Sequence, residues 1–194
     1  MIGVPMFFVR TNGCNLRCRW CDSTYTFSGG KEADVKTLLD LVSQSQERWI
    51  CLTGGEPLIQ REAPMFVRGV IDLGKSLLLE TSGSLSILPY TFSKRVVIDM
   101  DIKTPSSGEE RRLFTNNLGY LRDTDYVKFV VPDDIDFEFA RKFITEHNLP
   151  CEKIFQPAWG TDIKWLVEKA LDLKIDVRVL PQLHKLLWGE KRGV

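Results

Sequence analysis

Seven short β-rich runs in this chain read as strands, most of them almost continuously apolar: Met6–Val9, Trp49–Leu52, Leu77–Glu80, Val96–Asp99, Tyr126–Val131, Lys153–Phe155 and Asp176–Leu180. Runs of this length and character are what parallel strands covered on both faces require. Between them the period changes. Val35, Leu38, Leu39 and Val42 recur at helical spacing, as do Ile163, Leu166, Val167, Ala170 and Leu171. Asp133 or Asp134 is placed to cap a helix running through Glu146, and Thr161 or Asp162 to cap the next. Strand and helix alternate, which dictates βα units and hence a parallel sheet or an open barrel. No Pro/Gly-rich linker, repeat or low-complexity tract breaks the 194 residues, so the expectation is one α/β domain over residues 1–194.

In βα folds, chemistry gathers where strands deliver their C-terminal ends. The polar motifs of this chain stand there: after Val9, Leu52, Leu79 and Met100. The first reads Arg10-Thr-Asn-Gly-Cys14-Asn-Leu-Arg-Cys18-Arg-Trp-Cys21-Asp-Ser, a C-x3-C-x2-C spacing. Thiolates are soft ligands suited to iron–sulfur clusters or zinc. Three of them in one loop can wrap one corner of a cubane [4Fe–4S] cluster, leaving one iron open to a substrate or cofactor. Zinc is the alternative, but a structural zinc site wants four closed ligands. The only histidines, His147 and His184, lie far along the chain. His147 reads as a helix-terminal surface residue. Five cysteines with this clustering do not form a disulfide framework, and Cys51 and Cys151 read as buried small apolar residues.

Charge narrows the classes further. Lys plus Arg and Asp plus Glu are 26 each, so no polybasic face for nucleic acid is advertised. No apolar run is long enough for a membrane span and no signal-peptide pattern opens the chain, so the expected location is the cytoplasm.

Three further motifs end strands. In Leu52-Thr53-Gly54-Gly55-Glu56-Pro57 the glycines let a ligand approach the backbone closely; read alone, they fit a turn equally well. Glu80-Thr-Ser82-Gly-Ser84 and Asp101-Ile102-Lys103-Thr-Pro-Ser-Ser-Gly108 offer polar contacts for a cofactor, or loop and cap chemistry.

The cysteine spacing, with Trp20 between the second and third thiols, and the Gly-Gly-Glu-Pro motif together resemble the radical S-adenosylmethionine (SAM) superfamily. The resemblance implies that the open iron is chelated by SAM, whose one-electron cleavage yields a 5′-deoxyadenosyl radical that takes hydrogen from a substrate. The flanks narrow it. Gly3-Val-Pro-Met-Phe-Phe-Val-Arg10, Cys21-Asp-Ser23, Asp101-x-Lys-Thr-Pro-Ser-Ser-Gly108 and Pro181-Gln-Leu-His-Lys-Leu-Leu-Trp-Gly189 are similar to the 7-carboxy-7-deazaguanine synthases, nearly from end to end. That family converts 6-carboxy-5,6,7,8-tetrahydropterin to 7-carboxy-7-deazaguanine and ammonia by a radical ring contraction, on the route to deazapurine nucleosides of tRNA such as queuosine and archaeosine. It uses SAM, a [4Fe–4S] cluster and Mg²⁺. The resemblance implies a pared-down radical SAM (β/α) barrel, a homodimer, and an electron donor such as flavodoxin or ferredoxin. It implies no membrane and no direct nucleic-acid partner.

By motif, the family resemblance makes Cys14, Cys18 and Cys21 the cluster ligands and Ser23, where relatives more often carry Thr, the Mg²⁺ ligand. It assigns SAM contacts to Trp20, Cys21, Asp22, Gly54, Gly55, Glu56 and Ser82, with Glu56 placing the ammonium. Asp101, Ile102, Lys103, Gln156, Pro157, Ala158 and Trp159 complete that pocket. Arg10, Thr53, His184 and the terminal carboxylate of Val194 approach the pterin. No catalytic residue beyond these ligands is assigned. The bland readings are a surface ion pair for Arg10, a cap for Ser23 and packing for His184. Family members open with a strand and a Gln-Gly-Glu segment upstream of the Gly-x-Pro at which this chain starts. The expectation is a barrel without that strand, with an unpaired edge beside Met6–Val9 and weakened substrate contacts. Two rivals stand beside this reading: an activating enzyme for a glycyl-radical protein, and a non-catalytic iron–sulfur or zinc module in tRNA binding.

Overall fold

The computed structural model of the chain describes residues 1–173 and 176–191. It contains a sheet of seven parallel strands in chain order: β1 (Met6–Thr11), β2 (Trp49–Gly54), β3 (Ser76–Thr81), β4 (Val96–Asp101), β5 (Tyr126–Val131), β6 (Glu152–Pro157) and β7 (Arg178–Val179). The helices are α1 (Val35–Gln44), α2 (Ala63–Asp72), α3 (Asp134–Glu146), α4 (Ile163–Asp172) and α5 (Leu183–Trp188). Strand order never reverses. Crossovers of one hand that always advance in one direction lay their helices on one face and leave the other face open.

The pleat sorts residues between those faces. Val9, Ile50, Leu52, Leu77, Leu79, Val96, Ile98, Met100, Val127, Phe129, Val131 and Phe155 join the main core under the helices. α1 adds Val35 and Val42, α2 adds Phe66, Val67, Val70 and Ile71, and α3 adds Phe137, Ala140 and Ile144. Phe137, Phe155, Phe129 and Phe143 pack edge to face. The opposite, inner face carries a small second cluster of Cys51, Leu78 and Val97, flanked by Met6, Trp49 and Tyr126. Above it, toward the C-terminal strand ends, the inner face turns polar.

Helix starts follow the expected chemistry. Asp34, Asp133 and Asp162 each accept a backbone N–H at the head of α1, α3 and α4. α2 is a helix that the spacing analysis did not identify; it opens with a proline near its first position and buries an i, i+1, i+4, i+5 set. β1, β2 and β4 run two residues beyond their apolar runs, because Arg10, Thr11, Thr53, Gly54 and Asp101 are still paired with their neighbours. β7 is shorter than expected, since only Arg178 and Val179 reach pairing register with β6. Among the described residues β1 pairs with β2 alone, so it is the edge strand of this sheet, with Phe8 exposed. No helix among the described residues is long and apolar enough to cross a membrane.

Candidate functional site

The C-terminal ends of β1 to β4 converge on the cysteine loop, and the backbone stitches them together. Gly55 N–H donates to Thr11 O (3.1 Å) and Glu56 N–H to Gly13 O (2.9 Å). Gly54 adopts φ 142°, and a Cβ there would meet Thr11 O at 2.2 Å. Gly55 lies tighter still against the cysteine loop, 2.0 Å from Gly13 O by the same measure. Glycine is obligatory where backbones pass this closely. The Gly-Gly pair therefore docks the β2 end against the cysteine loop and is more than a turn.

Cys14, Cys18 and Cys21 are half-buried free thiols, whereas Cys51 and Cys151 are fully buried. Burial pushes the Cys18 thiol up to about 11, against the pull of the Lys103 ammonium. Cys21 is also raised, first by burial, with a Ser23 backbone hydrogen bond opposing. Thiols held this way are protonated at neutral pH, so a metal must displace the proton to bind. Among the described residues, no three Cys, His, Asp or Glu side chains close around a single ion. A cubane with one thiolate per iron asks for sulfurs further apart than a mononuclear site does, and three soft donors on one loop fit it.

Two buried groups beside the thiols lack partners among the described residues: Trp20 Nε1 and Asp101 Oδ1. Asp101 pairs with Lys103 at 2.8 Å, both mostly buried, and the Lys103 ammonium lies 5.5 Å from the Trp20 ring centroid. Burial alone would lower the Lys103 ammonium, but Asp101 and Cys18 outweigh it and the shift is upward. Orphaned buried polar atoms beside a cation and the loop thiols fit a cofactor with carboxylate and amine groups, such as the methionine portion of SAM. Ile102 is fully buried and its N–H is spent on Lys128 O, so its side chain faces the core.

Glu56 is placed differently from the expected ammonium contact. It is completely buried. Its Oε1 accepts from Leu58 N–H and the Thr81 hydroxyl, and its Oε2 accepts from the N–H and hydroxyl of Ser82. A carboxylate with both oxygens occupied by protein donors has little left to offer a ligand. Ser82 Oγ continues to Ser84 Oγ (2.9 Å), which accepts from the Asn15 amide of the cysteine loop (3.0 Å). Glu56 and Ser82 thus tie three strand ends together. Ser84 belongs to the polar motif singled out in the sequence and here serves the loop; Asn15 is a link that sequence reading missed, since a polar side chain in a loop gave no distinguishing signal.

On the inner face, the polar layer runs across neighbouring strands. Arg10 stands beside Thr53, Glu80 beside Asp99, and Asp101 beside Lys128 in register. Thr53 is buried and donates to Glu80 Oε2 at 2.7 Å. Lys128 approaches Asp99 Oδ2 at 3.7 Å, and Asp99 Oδ1 is buried with no hydrogen-bond partner among the described residues. Burial pushes the Asp99 carboxyl up against the pull of Lys128; burial would lower Lys128, but Asp99, Glu80 and Asp101 hold it well above the usual lysine range.

Ser23 makes no helix-cap hydrogen bond; its hydroxyl donates to Asp22 Oδ1 at 2.8 Å. His184 at the start of α5 comes to 3.8 Å from Asp22 Oδ2, so the tail folds back over the cysteine loop. Gln156 reaches Pro181 O, and the Lys185 ammonium sits 5.6 Å from the exposed Trp159 ring. Pro157 is buried at the end of β6, and Ala158 N–H bonds Val131 O. Arg10 is exposed, 6.0 Å from the Tyr25 ring. Val194 lies outside the described residues. A concavity of about 740 Å³ lies on the helix side between residues 30–35 and the start of α2, and none of the three loop thiols lines it.

The sequence profile of the radical SAM superfamily matches residues 8–107. The 7-carboxy-7-deazaguanine synthase of Thermoplasma acidophilum is 48% identical over 192 residues, covering 99% of this chain and 92% of that protein. Enzymes of the same name from Koribacter versatilis and Methanospirillum hungatei are 36% and 37% identical, with 99% and 95% of this chain covered and 92% and 78% of theirs. The crystal structure of QueE from Escherichia coli superposes with a TM-score of 0.74 at 21% identity, over 93% of this chain and 86% of that one. SuiB of Streptococcus suis, solved with its precursor peptide SuiA, shares the fold at TM-score 0.69 and 10% identity, over 91% of this chain and 48% of that one.

Proposed function

Since this chain belongs to the 7-carboxy-7-deazaguanine synthases of the radical SAM superfamily, we propose that the inner face above Cys51, Leu78 and Val97 is where a carboxylated tetrahydropterin is contracted to 7-carboxy-7-deazaguanine with loss of ammonia. The observation that carries this reading is the near end-to-end match at 48% identity, together with three thiols held on one loop against Gly54-Gly55. The enzyme is a radical SAM lyase of queuosine-type deazapurine biosynthesis. When bound, the cluster and SAM supply the radical that takes hydrogen from the substrate.

The chain's own residues do the rest. Cys14, Cys18 and Cys21 would hold three irons of the cluster, leaving the fourth to SAM. Trp20, Asp22, Gly54, Gly55, Asp101, Lys103 and the Gln156–Trp159 segment shape the SAM pocket. Lys103, buried and paired with Asp101, keeps its ammonium available to a carboxylate. Glu56 and Ser82 act one step removed, fixing the strand ends that carry those contacts. Arg10, Thr53 and His184 bind the substrate.

We place Mg²⁺ at Ser23, whose hydroxyl beside the Asp22 carboxylate gives the hard oxygen donors that ion prefers. Replacing Ser23 by Ala is expected to raise the Mg²⁺ concentration needed for half-maximal turnover while leaving SAM affinity unchanged. A magnesium titration measures it, and an unchanged response would remove Ser23 from the metal site. The enzyme works in the cytoplasm as a homodimer supplied with electrons by flavodoxin or ferredoxin. Exposed Leu186, Leu187 and Trp188 on α5 offer apolar surface for the dimer contact.

Anaerobic reconstitution with iron and sulfide, followed by SAM, Mg²⁺, reductant and 6-carboxy-5,6,7,8-tetrahydropterin, should yield 7-carboxy-7-deazaguanine and ammonia in equal amounts. SAM cleavage with no deazaguanine formed would overturn the substrate assignment while leaving the cluster chemistry standing.

A further inference from the structure

The polar layer of the inner face contains groups that the cluster, SAM and Mg²⁺ leave unused. Glu80, Asp99 and Lys128 each interrupt a strand that is otherwise apolar on that stretch. Polar side chains placed there cost stability unless a partner satisfies them. Thr53 satisfies one oxygen of Glu80. Asp99 is different. It is only 6% exposed, its Oδ2 has Lys128 at 3.7 Å, and its Oδ1 has no partner among the described residues. The charged groups around it are Lys128, Glu80, Asp101 and, at the edge of influence, the Met1 amino group. An acceptor buried and left unpaired forfeits its hydration with nothing in return, and one that stands beside a lysine in the polar layer of the inner face is placed to take a ligand's donor.

We propose that Asp99 and Lys128 are the specificity pair that reads the aminopyrimidinone edge of the substrate, which rests on the pterin assignment above. That edge presents a ring N–H and an exocyclic amine side by side, the donor pair that one carboxylate accepts in parallel, as it does from a guanidinium. The adjacent ring carbonyl is an acceptor and takes a Lys128 N–H. The charge distribution sets the orientation. Around Asp99 the carboxylates of Glu80 and Asp101 stand with Lys128 and, farther off, the Met1 amino group, and this acidic side repels the anionic end of the ligand. Arg10 and His184 at the rim attract it. The carboxylate end therefore lies toward the cysteine loop and Ser23, where radical and metal act, and the donor-rich ring sits at the floor beside Asp99. Thr53, already hydrogen-bonded to Glu80, stands between the two.

The pair is tested by fluorescence binding of 6-carboxypterin and of 6-carboxylumazine, which carries an oxo group in place of the amine. Wild-type protein, with and without cluster, should prefer the pterin by roughly ten- to a hundredfold, the loss expected when a buried carboxylate faces an acceptor instead of a donor. Asp99→Asn should abolish most of that preference while thermal unfolding and SAM affinity stay near wild type. In turnover, KM for the carboxytetrahydropterin should rise with little change in kcat. Equal wild-type affinity for the two probes would overturn the inference without any variant. An Asp99→Asn protein that folds and keeps the full preference would overturn it too. A wild-type enzyme that makes no deazaguanine at all would instead strike the functional reading on which the pair depends, and the pair would fall with it.

Discussion

Replacing Cys18 by Ala is expected to reduce SAM cleavage to background and to strip the protein of most of its iron. In the proposed assignment the loop would supply one thiolate to each of three irons, and among the described residues nothing nearby can substitute. Cys51 belongs to the apolar inner-face cluster with Leu78 and Val97, and Cys151 to the helix-side core. Both thiols are pushed above their usual range by burial, Cys151 to about 11, so neither offers a ready thiolate. His184, the nearest histidine, is engaged with Asp22. Anaerobic iron and sulfide analysis, followed by assay of 5′-deoxyadenosine, measures both losses. Cys51→Ala and Cys151→Ala, made in parallel, should keep their cluster. Near-normal 5′-deoxyadenosine formation in Cys18→Ala would sink the ligand assignment, and iron loss in either control would reveal a ligand outside the loop.

The strands were legible because parallel strands under helices have to be apolar, and Tyr126–Val131 matches β5 from end to end. Their polar ends were harder to place. Arg10, Thr53, Gly54 and Asp101 belong to strands by pairing, and pairing depends on a neighbour distant in sequence. α2 escaped because Pro64 and the small residues Ala63 and Gly69 blur its apolar stripe; its identity rests on what Phe66 and Val70 meet in the core. The cysteine spacing and the Gly-Gly-Glu-Pro motif were readable because soft ligands and close backbone approach restrict residue type at fixed positions. The role of Glu56 was not readable in that way. A motif tells which residue is required, but only the partners of its oxygens show that it serves the scaffold. Asp99 and Lys128 left a fainter trace, as charges standing where the pleat points away from the helices. That trace has meaning only once the strand register shows which face they share.

Gly55→Ala should disable the enzyme although the change is one methyl group. A Cβ at this position would lie 2.0 Å from Gly13 O, 2.7 Å from Gly13 C and 3.0 Å from Cys14 Cβ. None of these is the free end of a flexible side chain, so relief requires the cysteine loop and the β2 end to part. Ordinary carbon contacts need about 3.5 Å, so the separation must grow by roughly 1 Å or more. The Glu56 N–H to Gly13 O hydrogen bond, at 2.9 Å, spans that gap and would be stretched or broken. Glu56 in turn anchors Thr81 and Ser82, so the shift passes to the β3 end. Misplacing a reacting group by about 1 Å costs on the order of a hundredfold in rate, and here both the cysteine loop and the backbone proposed to bind SAM would move. The expected result is a folded protein with reduced cluster content, SAM affinity weakened by roughly ten- to a hundredfold, and product formation near background. Gly119→Ala provides the contrast: nothing lies within 4 Å of a Cβ there, and the backbone needs no left-handed angle. It should be as active as wild type. Full SAM affinity in Gly55→Ala, measured by equilibrium binding to the reconstituted protein, would mean that the two loops can separate without consequence and that the Gly-Gly pair does not position the cofactor.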